Sequence, residues 1–165
     1  MKLFVSKALE AMDFWDFCCD HGYIGILALR SEKFKCIHFV DQQKHIIENL
    51  KLRFHKSENF LKEHYQYKFY DQDARTLSTV VTGNLLIAGV GGKLAFEILQ
   101  SLEQKKQLKA QRILISVHSE EQKYTNQIAL ILSKYTQLES IPYQEGRRLR
   151  NLAIFDLLPN KKSSG

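Results

Sequence analysis

At 165 residues, 44% of them hydrophobic and 25% charged, the chain is long enough to bury a core of its own and too apolar to stay disordered. No apolar run approaches the roughly 20 residues of a membrane span, and the amino terminus carries no signal-peptide pattern, so the expected location is the cytoplasm. The formal net charge of +6 suits a polyanionic partner such as nucleic acid, although a surplus of that size is too modest to choose one by itself.

Residues 3–11 have the spacing of a short amphipathic helix, with Leu3, Phe4, Ala8 and Leu9 as its packing side. The stretch Asp13-Phe-Trp-Asp-Phe-Cys-Cys-Asp-His-Gly-Tyr-Ile-Gly25 then runs from apolar and aromatic residues into acid, imidazole and glycine. It reads as a buried strand that delivers a turn at its carboxyl end and feeds a helix reaching about Ser31. Asp16 falls in or at the tip of the strand, and Asp20, His21 and Gly22 fall in the turn. Cys18, Cys19 and Cys36 lack zinc-ligand spacing and read as reduced thiols used as small hydrophobes.

Residues 36–41 form a second apolar run ending in Asp41. Residues 43–57 follow with helical spacing through Ile46, Ile47, Leu50 and Phe54. A short helical turn is expected at 58–65, a third strand at 66–71 and a fourth at 85–88. The fourth runs into Gly89-Val-Gly-Gly92 and a helix to about Leu102. Residues 103–111 read as a polar, lysine-bearing loop, and 112–117 as a fifth strand with His118 at its carboxyl end. An amphipathic helix is expected at 119–135, through Tyr124, Ile128, Leu132 and Tyr135. Two closing strands near 138–145 and 150–158 flank Gly146-Arg-Arg148. The polar tail, 159–165, is expected to be loose.

Alternating strands and helices followed by a strand pair imply an α/β, three-layer, Rossmann-like sandwich. Its seven-stranded sheet is mostly parallel, with an antiparallel C-terminal hairpin. The whole chain, 1–165, reads as one domain, with its core in about 6–158.

In such a sheet the strand ends at Asp16–Gly22, Asp41, Asp71–Ala74 and Gly89–Gly92 share one edge, where ligands bind. A carboxylate after the second strand can accept both hydroxyls of a ribose. An Asp73-Ala74 pair after the third can meet an adenine. Cys18 and Gln42 flank these acids and complete the candidate cofactor set of Asp16, Cys18, Asp20, His21, Gly22, Asp41, Gln42, Asp73, Ala74 and Gly89. The first turn is not a G-x-G-x-x-G phosphate cradle, which favours a phosphate-free adenosyl ligand; S-adenosylmethionine fits that description. No metal set is present in the sequence pattern. Each element also has a plainer reading: Asp41 and Asp73 as caps of the following turns, Gly89–Gly92 as a tight corner, His21 satisfied by backbone, and His118 capping the next helix.

The segments Asp16-Phe-Cys-Cys-Asp-His-Gly-Tyr23, Phe39-Val-Asp41, Leu86-Ile-Ala-Gly-Val-Gly-Gly92 and Ile113-Leu-Ile-Ser-Val-His118 resemble the bacterial tRNA (adenine-22-N1)-methyltransferase family over about residues 6–158. The resemblance implies a class I methyltransferase fold, S-adenosylmethionine as donor and tRNA as acceptor. It implies that Asp16 and Asp20-His21-Gly22 form the first cofactor motif, that Asp41 is the ribose acid and that Asp73-Ala74 border the adenine. Gly89, Gly91 and Gly92 would then flank the transferred methyl group. The chain departs from the family at Glu145-Gly-Arg-Arg-Leu-Arg-Asn151, where the family's Tyr-Glu pair is Arg150-Asn151. Val117 replaces a frequent proline, and the family's C-terminal helical extension is not in this chain.

The expected reaction is direct in-line methylation of adenine N1, whose lone pair needs no strong base. The base must first be unpaired or flipped out. Gly89, Gly91 and Gly92, with His118, form the candidate catalytic set. Lys105, Lys106 and Lys109 in one loop, and Arg147, Arg148 and Arg150 in another, are the candidate RNA contacts, with Tyr143 placed to stack on a base. Two other readings remain: a methyltransferase acting on another RNA or on a small molecule, and a nucleic-acid-binding module that keeps the fold without catalysis. Whether a second copy or a helper subunit completes the tRNA grip is left open.

Overall fold

The computed structural model describes residues 1–56, 64–119 and 121–159. The turn expected at 58–65 and the tail beyond Pro159 lie almost wholly outside the described residues. Helices α1 (Lys2–Lys7), α2 (Tyr23–Arg30), α3 (Lys44–Lys56), α4 (Gly92–Gln104) and α5 (Glu121–Ile131) alternate with strands. The strands are β1 (Phe14–Phe17), β2 (Ile37–Asp41), β3 (Tyr67–Asp71), β4 (Val81–Gly91), β5 (Leu108–Ser119), β6 (Tyr135–Glu145) and β7 (Arg148–Leu157).

They form one seven-stranded sheet in the order β3-β2-β1-β4-β5-β7-β6. Pairs among β1 to β5 are parallel, whereas β7 runs antiparallel to both β5 and β6. The chain winds outward through β2 and β3 on one side of β1 and through β4 and β5 on the other. The order therefore reverses between β1 and β4, where an open sheet leaves a crevice at the carboxyl ends of its strands.

The central strands are buried on both faces, so they read as continuous apolar runs. Phe14, Phe39, Leu86 and Leu114 point to one face, packing with α1, α2 and α3 residues such as Phe4, Ala28, Ile47 and Leu50. Trp15, Phe17, Leu85, Ile87 and Ile113 point to the other, meeting Ile98 and Leu99 of α4 and Tyr124 and Ile128 of α5. These two cores are the inner surfaces of a three-layer sandwich.

Several element boundaries differ from those expected; the fourth strand, expected at 85–88, runs from Val81 to Gly91 and so takes in Gly89. The first helix stops at Lys7, and Ala8 is extended. Fully buried Asn84 explains the stop: its Oδ1 accepts from the Leu9 N–H (2.7 Å), and its Nδ2 donates to the Leu9 and Asp13 carbonyls. The expected loop at 103–111 is instead the end of α4, a three-residue connection and the start of β5, where Leu108 and Ala110 alternate inward. Lys109 occupies the solvent side of that alternation and Lys105 and Lys106 the connection before it, which makes the segment read as a loop in composition. The helix expected at 119–135 ends at Ile131, and Tyr135 opens β6, donating its hydroxyl to the Ala110 carbonyl (3.0 Å).

Candidate active site

At the carboxyl end of β1 the chain must leave a fully buried strand and enter α2 within five residues. It does so through backbone that L-residues seldom adopt: Cys18, Asp20 and Gly22 have φ of +55°, +48° and +67°. Two left-handed non-glycine residues in one turn mark stored strain of the kind that gathers at ligand sites. Asp16 stays buried beneath the turn, its Oδ2 accepting from the Gly25 N–H (2.9 Å) at the first turn of α2. Burial, and secondarily the carboxylate of Asp41, push the Asp16 carboxyl up to about 7 despite that hydrogen bond. Burial likewise pushes the Cys18 thiol up to about 12 and that of Cys19 higher still. All three cysteines are free, and these two are inert apolar lining rather than nucleophiles.

Asp41, at the end of β2, is nearly buried and closes the turn from below. Its Oδ2 accepts from the Asp20 N–H (3.0 Å) and its Oδ1 from the Gln43 N–H (2.9 Å), so it both caps the entry to α3 and fixes the neighbouring strand's turn. Gln42 beside it is exposed. Asp73, past the end of β3, caps the 3-10 turn Ala74–Thr76 and grips the Arg75 guanidinium, whose Nη1 continues to Glu97 of α4. The Arg75 contact holds the Asp73 carboxyl below the usual carboxylate range. Ala74 is buried in that turn.

The glycine run has three distinct roles. Gly89 has φ +72°, and a Cβ there would meet nothing, so the strained backbone faces open space. Gly91 ends β4 as the N-cap of α4, and Gly92 is its buried first residue. The β4–β5 register steps from Ala88↔Ser116 to Val90↔Val117 and then to Gly91↔Ser119. Gly89 and His118 are therefore each skipped, as bulges on adjacent strands at the same sheet edge. Bulges of this kind re-aim a residue out of the ladder.

Over this edge lies a cleft of about 360 Å³, within the range of small-molecule sites. Asp16, Cys18, Cys19, Asp20, His21 and Gly89 line it from the sheet edge, and Tyr143, Gln144 and Glu145 wall it from the tip of β6, with Met1, Phe4, Tyr23, Ile24 and Ala88 completing it. Tyr143 is pinned there, its hydroxyl 2.7 Å from Ser116 Oγ and its ring edge-on to Phe4. It is thus a wall of the cleft rather than a free stacking platform. His21 does not hide against backbone as a structural histidine would: its side chain is 63% exposed beside Asp20 and Tyr23.

The remaining expected RNA contacts are placed in three different ways. Arg147 and Arg148 are exposed at the tip of the β6–β7 hairpin, next to the cleft wall. Arg150 is not available in the same way: its guanidinium donates to Glu145 Oε2 (3.1 Å) and to the His118 carbonyl (2.7 Å). Lys109 pairs with Thr82 at the amino ends of β5 and β4, and Lys106 stands three residues before it, so these two lie toward the opposite edge; Lys105 instead donates to the Arg75 carbonyl, in the turn that follows β3. The sequence reading missed Glu145 as a cleft carboxylate, although its two-residue spacing from Tyr143 places both on one side of β6.

The profile of the methyltransferase domain family matches residues 3–137. The chain belongs to this family. No curated protein sequence matches it. Among solved structures, the methyltransferase-family chain is similar in fold to a candidate tRNA (m1A22) methyltransferase of Streptococcus pneumoniae in complex with S-adenosyl-L-methionine, with a TM-score of 0.74 at 17% identity over 99% of this chain and 74% of that one. It is similar to the B. subtilis tRNA methyltransferase TrmK, with a TM-score of 0.74 at 16% identity over 94% and 64% of the two chains. It is also similar to M. capricolum TrmK bound to S-adenosyl-homocysteine, with a TM-score of 0.72 at 15% identity over 94% and 66%. The chain thus spans between 64% and 74% of the length of these proteins.

The fold is that of S-adenosylmethionine-dependent methyltransferases. The cleft's own chemistry fits that donor. Its lining offers the carboxylates of Asp16, Asp20 and Glu145 and no lysine or arginine, so it suits a cationic sulfonium and ammonium and disfavours a phosphate. Among the described residues no cluster has the makings of a metal site, and no helix is long and apolar enough to cross a membrane.

Proposed function

We propose that the chain transfers a methyl group from S-adenosylmethionine to N1 of an unpaired adenine in tRNA. The observation that carries the reading is the sign and shape of the cleft: carboxylate-lined, free of lysine and arginine, and open over the Gly89 bulge. The motif resemblance over Asp16–Tyr23 and Leu86–Gly92, and the folds of the tRNA methyltransferases above, support the choice of acceptor.

Asp16, Asp20 and the β1–α2 turn would hold the amino-acid end of the donor, Asp41 its ribose, and the backbone beside Ala74 its adenine. Asp41 keeps lone pairs beyond the two it gives to backbone N–H groups. Asp73 is largely committed to Arg75, which leaves it the weaker candidate of the two acids. When bound, the donor supplies an electrophilic methyl group on sulfur.

The chain's own residues do the rest by positioning and charge. A flat base enters over Gly89, where no side chain stands in the way. N1 of neutral adenine attacks with its lone pair and needs no proton removed. The methylated base is a cation, and Asp20 stabilises that charge as it forms; Glu145 adds less, because its Oε2 already accepts from Arg150. His118, bulged from β5 at the same sheet edge though not among the cleft's lining residues, would approach the base edge in this reading.

Calorimetry with S-adenosylmethionine, followed by transfer of labelled methyl to unmodified tRNA transcripts and mapping of the label, tests the proposal. Saturable binding and label at adenine N1 are expected. Asp41→Ala is expected to weaken donor binding at least tenfold. Label on another base or on no RNA rejects the acceptor assignment, and absence of donor binding rejects catalysis.

A further inference from the structure

A second groove of about 600 Å³ adjoins the acidic cleft and shares Asp20, His21 and Tyr23 with it. Its far wall is α3, through His45, Asn49, Leu52, Arg53 and Lys56. Steps of four, three, one and three residues put these on one stripe of the helix. Ile46, Ile47, Leu50 and Phe54 face the core. The helix carries Lys44, Lys51, Arg53 and Lys56 against one acid, Glu48, and Glu48 is 3.7 Å from Lys44. Charge is therefore sorted by place. Carboxylates line the cleft, Arg53 and Lys56 line the groove while Lys44 and Lys51 stand outside it, and the groove's one acid is Asp20 on the shared rim.

The rim itself is built. Arg53 Nη1 donates to the His21 carbonyl (2.7 Å), tying α3 to the β1–α2 turn. The same guanidinium stands 5.5 Å from the centre of the Tyr23 ring, which is 54% exposed. An exposed aromatic ring held at the head of a cationic track is the arrangement that single-stranded nucleic acid uses, with a base stacked on the ring and phosphates along the basic side chains.

We propose that this groove carries the RNA strand flanking the target adenine, with the adjacent base on Tyr23 and the following phosphates beside Arg53, Lys56 and His45. The inference rests on the RNA reading above and adds a path for the substrate. The cleft repels phosphate and the groove attracts it, so the uncharged base edge enters the cleft while the backbone stays outside.

The test is fluorescence anisotropy of labelled unmodified tRNA transcripts against the full chain over a series of salt concentrations, with donor affinity measured in parallel. Lys56→Ala, at an exposed helix end, is expected to weaken RNA binding several-fold near 0.1 M salt and to lower the slope of log affinity against log salt by about 0.7–0.9, one phosphate contact. Its donor affinity is expected to match wild type. Tyr23→Ala is expected to weaken RNA binding about tenfold with the slope unchanged, because stacking releases no counterion. Wild-type RNA binding that neither variant alters overturns the groove while leaving the methyltransferase reading standing. A chain that binds donor but no tRNA overturns both this path and the acceptor assignment. Self-association that Lys56→Ala abolishes would identify the groove as a contact between copies and overturn the proposal.

Discussion

Asp16 is the residue on which the cleft's chemistry turns, because it is an acid held under an acidic mouth. Its carboxyl is pushed up to about 7 by burial first, with Asp41 adding to the effect and the Gly25 N–H opposing it. An unfolded aspartate titrates near 3.9, so its folded-state pKa is the raised one. Its contribution to stability is full below about pH 4 and is lost as pH rises toward about 7. Buried His38, stacked on Trp15 and pushed down to about 4 by burial, works in the opposite sense. Its contribution is full above its ordinary value near 6.5 and is lost as pH falls toward 4. The two trends oppose each other over one window, and Asp16→Asn removes one of them. That variant is expected to gain thermal stability relative to wild type as pH is raised from about 5 to 8. Wild type is expected to bind donor more tightly as pH rises over about 5.5 to 7.5, as an ionised Asp16 meets a cationic ligand, and the variant is expected to lack that rise. Thermal melts and calorimetry at matched pH check both; a variant whose donor affinity still rises with pH would move the effect to another group.

At the scale of elements, the hairpin β6–β7 makes a wall for the cleft without belonging to the parallel half of the sheet. Arg150 fastens it: the side chain is 12% exposed and bridges Glu145 on the hairpin to the His118 carbonyl on β5. Arg150→Met keeps the stem and removes the donors. It is expected to cost about 1–3 kcal/mol of stability and to lower kcat more than donor affinity, since it loosens the hairpin wall against which the proposed base would sit. Arg150→Lys is expected to restore only part of the loss, because one ammonium cannot span both acceptors. Urea melts and a split of kcat from KM read the two effects. This role for Arg150 was not legible in the sequence, where it stood as one of three clustered arginines. Local pattern does reveal strands such as Phe14–Phe17 and Ile37–Asp41, whose apolar runs end in acids, and it reveals the edge those acids share. It does not reveal what long-range contacts decide. Asn84 ends α1 from 75 residues away, Arg75 occupies the Asp73 carboxylate, and the bulges at Gly89 and His118 exist only in the β4–β5 register. Glu145 joined the site only when the hairpin folded back over β5.

Across the whole molecule the sheet has a working edge and a far edge, and this decides which cations matter. Val81↔Leu108 and Thr82↔Lys109 set the amino ends of β4 and β5 side by side, whereas Gly89 and His118 mark their carboxyl ends. Seven residues of strand separate Thr82 from Gly89, roughly 23 Å at about 3.3 Å per residue. That is more than twice the screening length near 0.15 M salt, about 8 Å. Lys106 and Lys109 therefore contribute little field at the cleft, although they count equally toward the net charge of +6. Arg147 and Arg148 stand at the hairpin tip, beside the wall formed by Gln144 and Glu145. Two double variants with the same change in net charge separate place from total. Arg147→Ala with Arg148→Ala is expected to weaken tRNA binding and to reduce its salt slope by about 1.4–1.8, two phosphate contacts. Lys106→Ala with Lys109→Ala is expected to leave both near wild type. Both pairs are expected to keep donor affinity, since none of the four side chains lines the cleft. Equal losses from the two pairs would mean that RNA responds to overall charge rather than to the edge where the strands end, and the assignment of a working edge to RNA would fail with it.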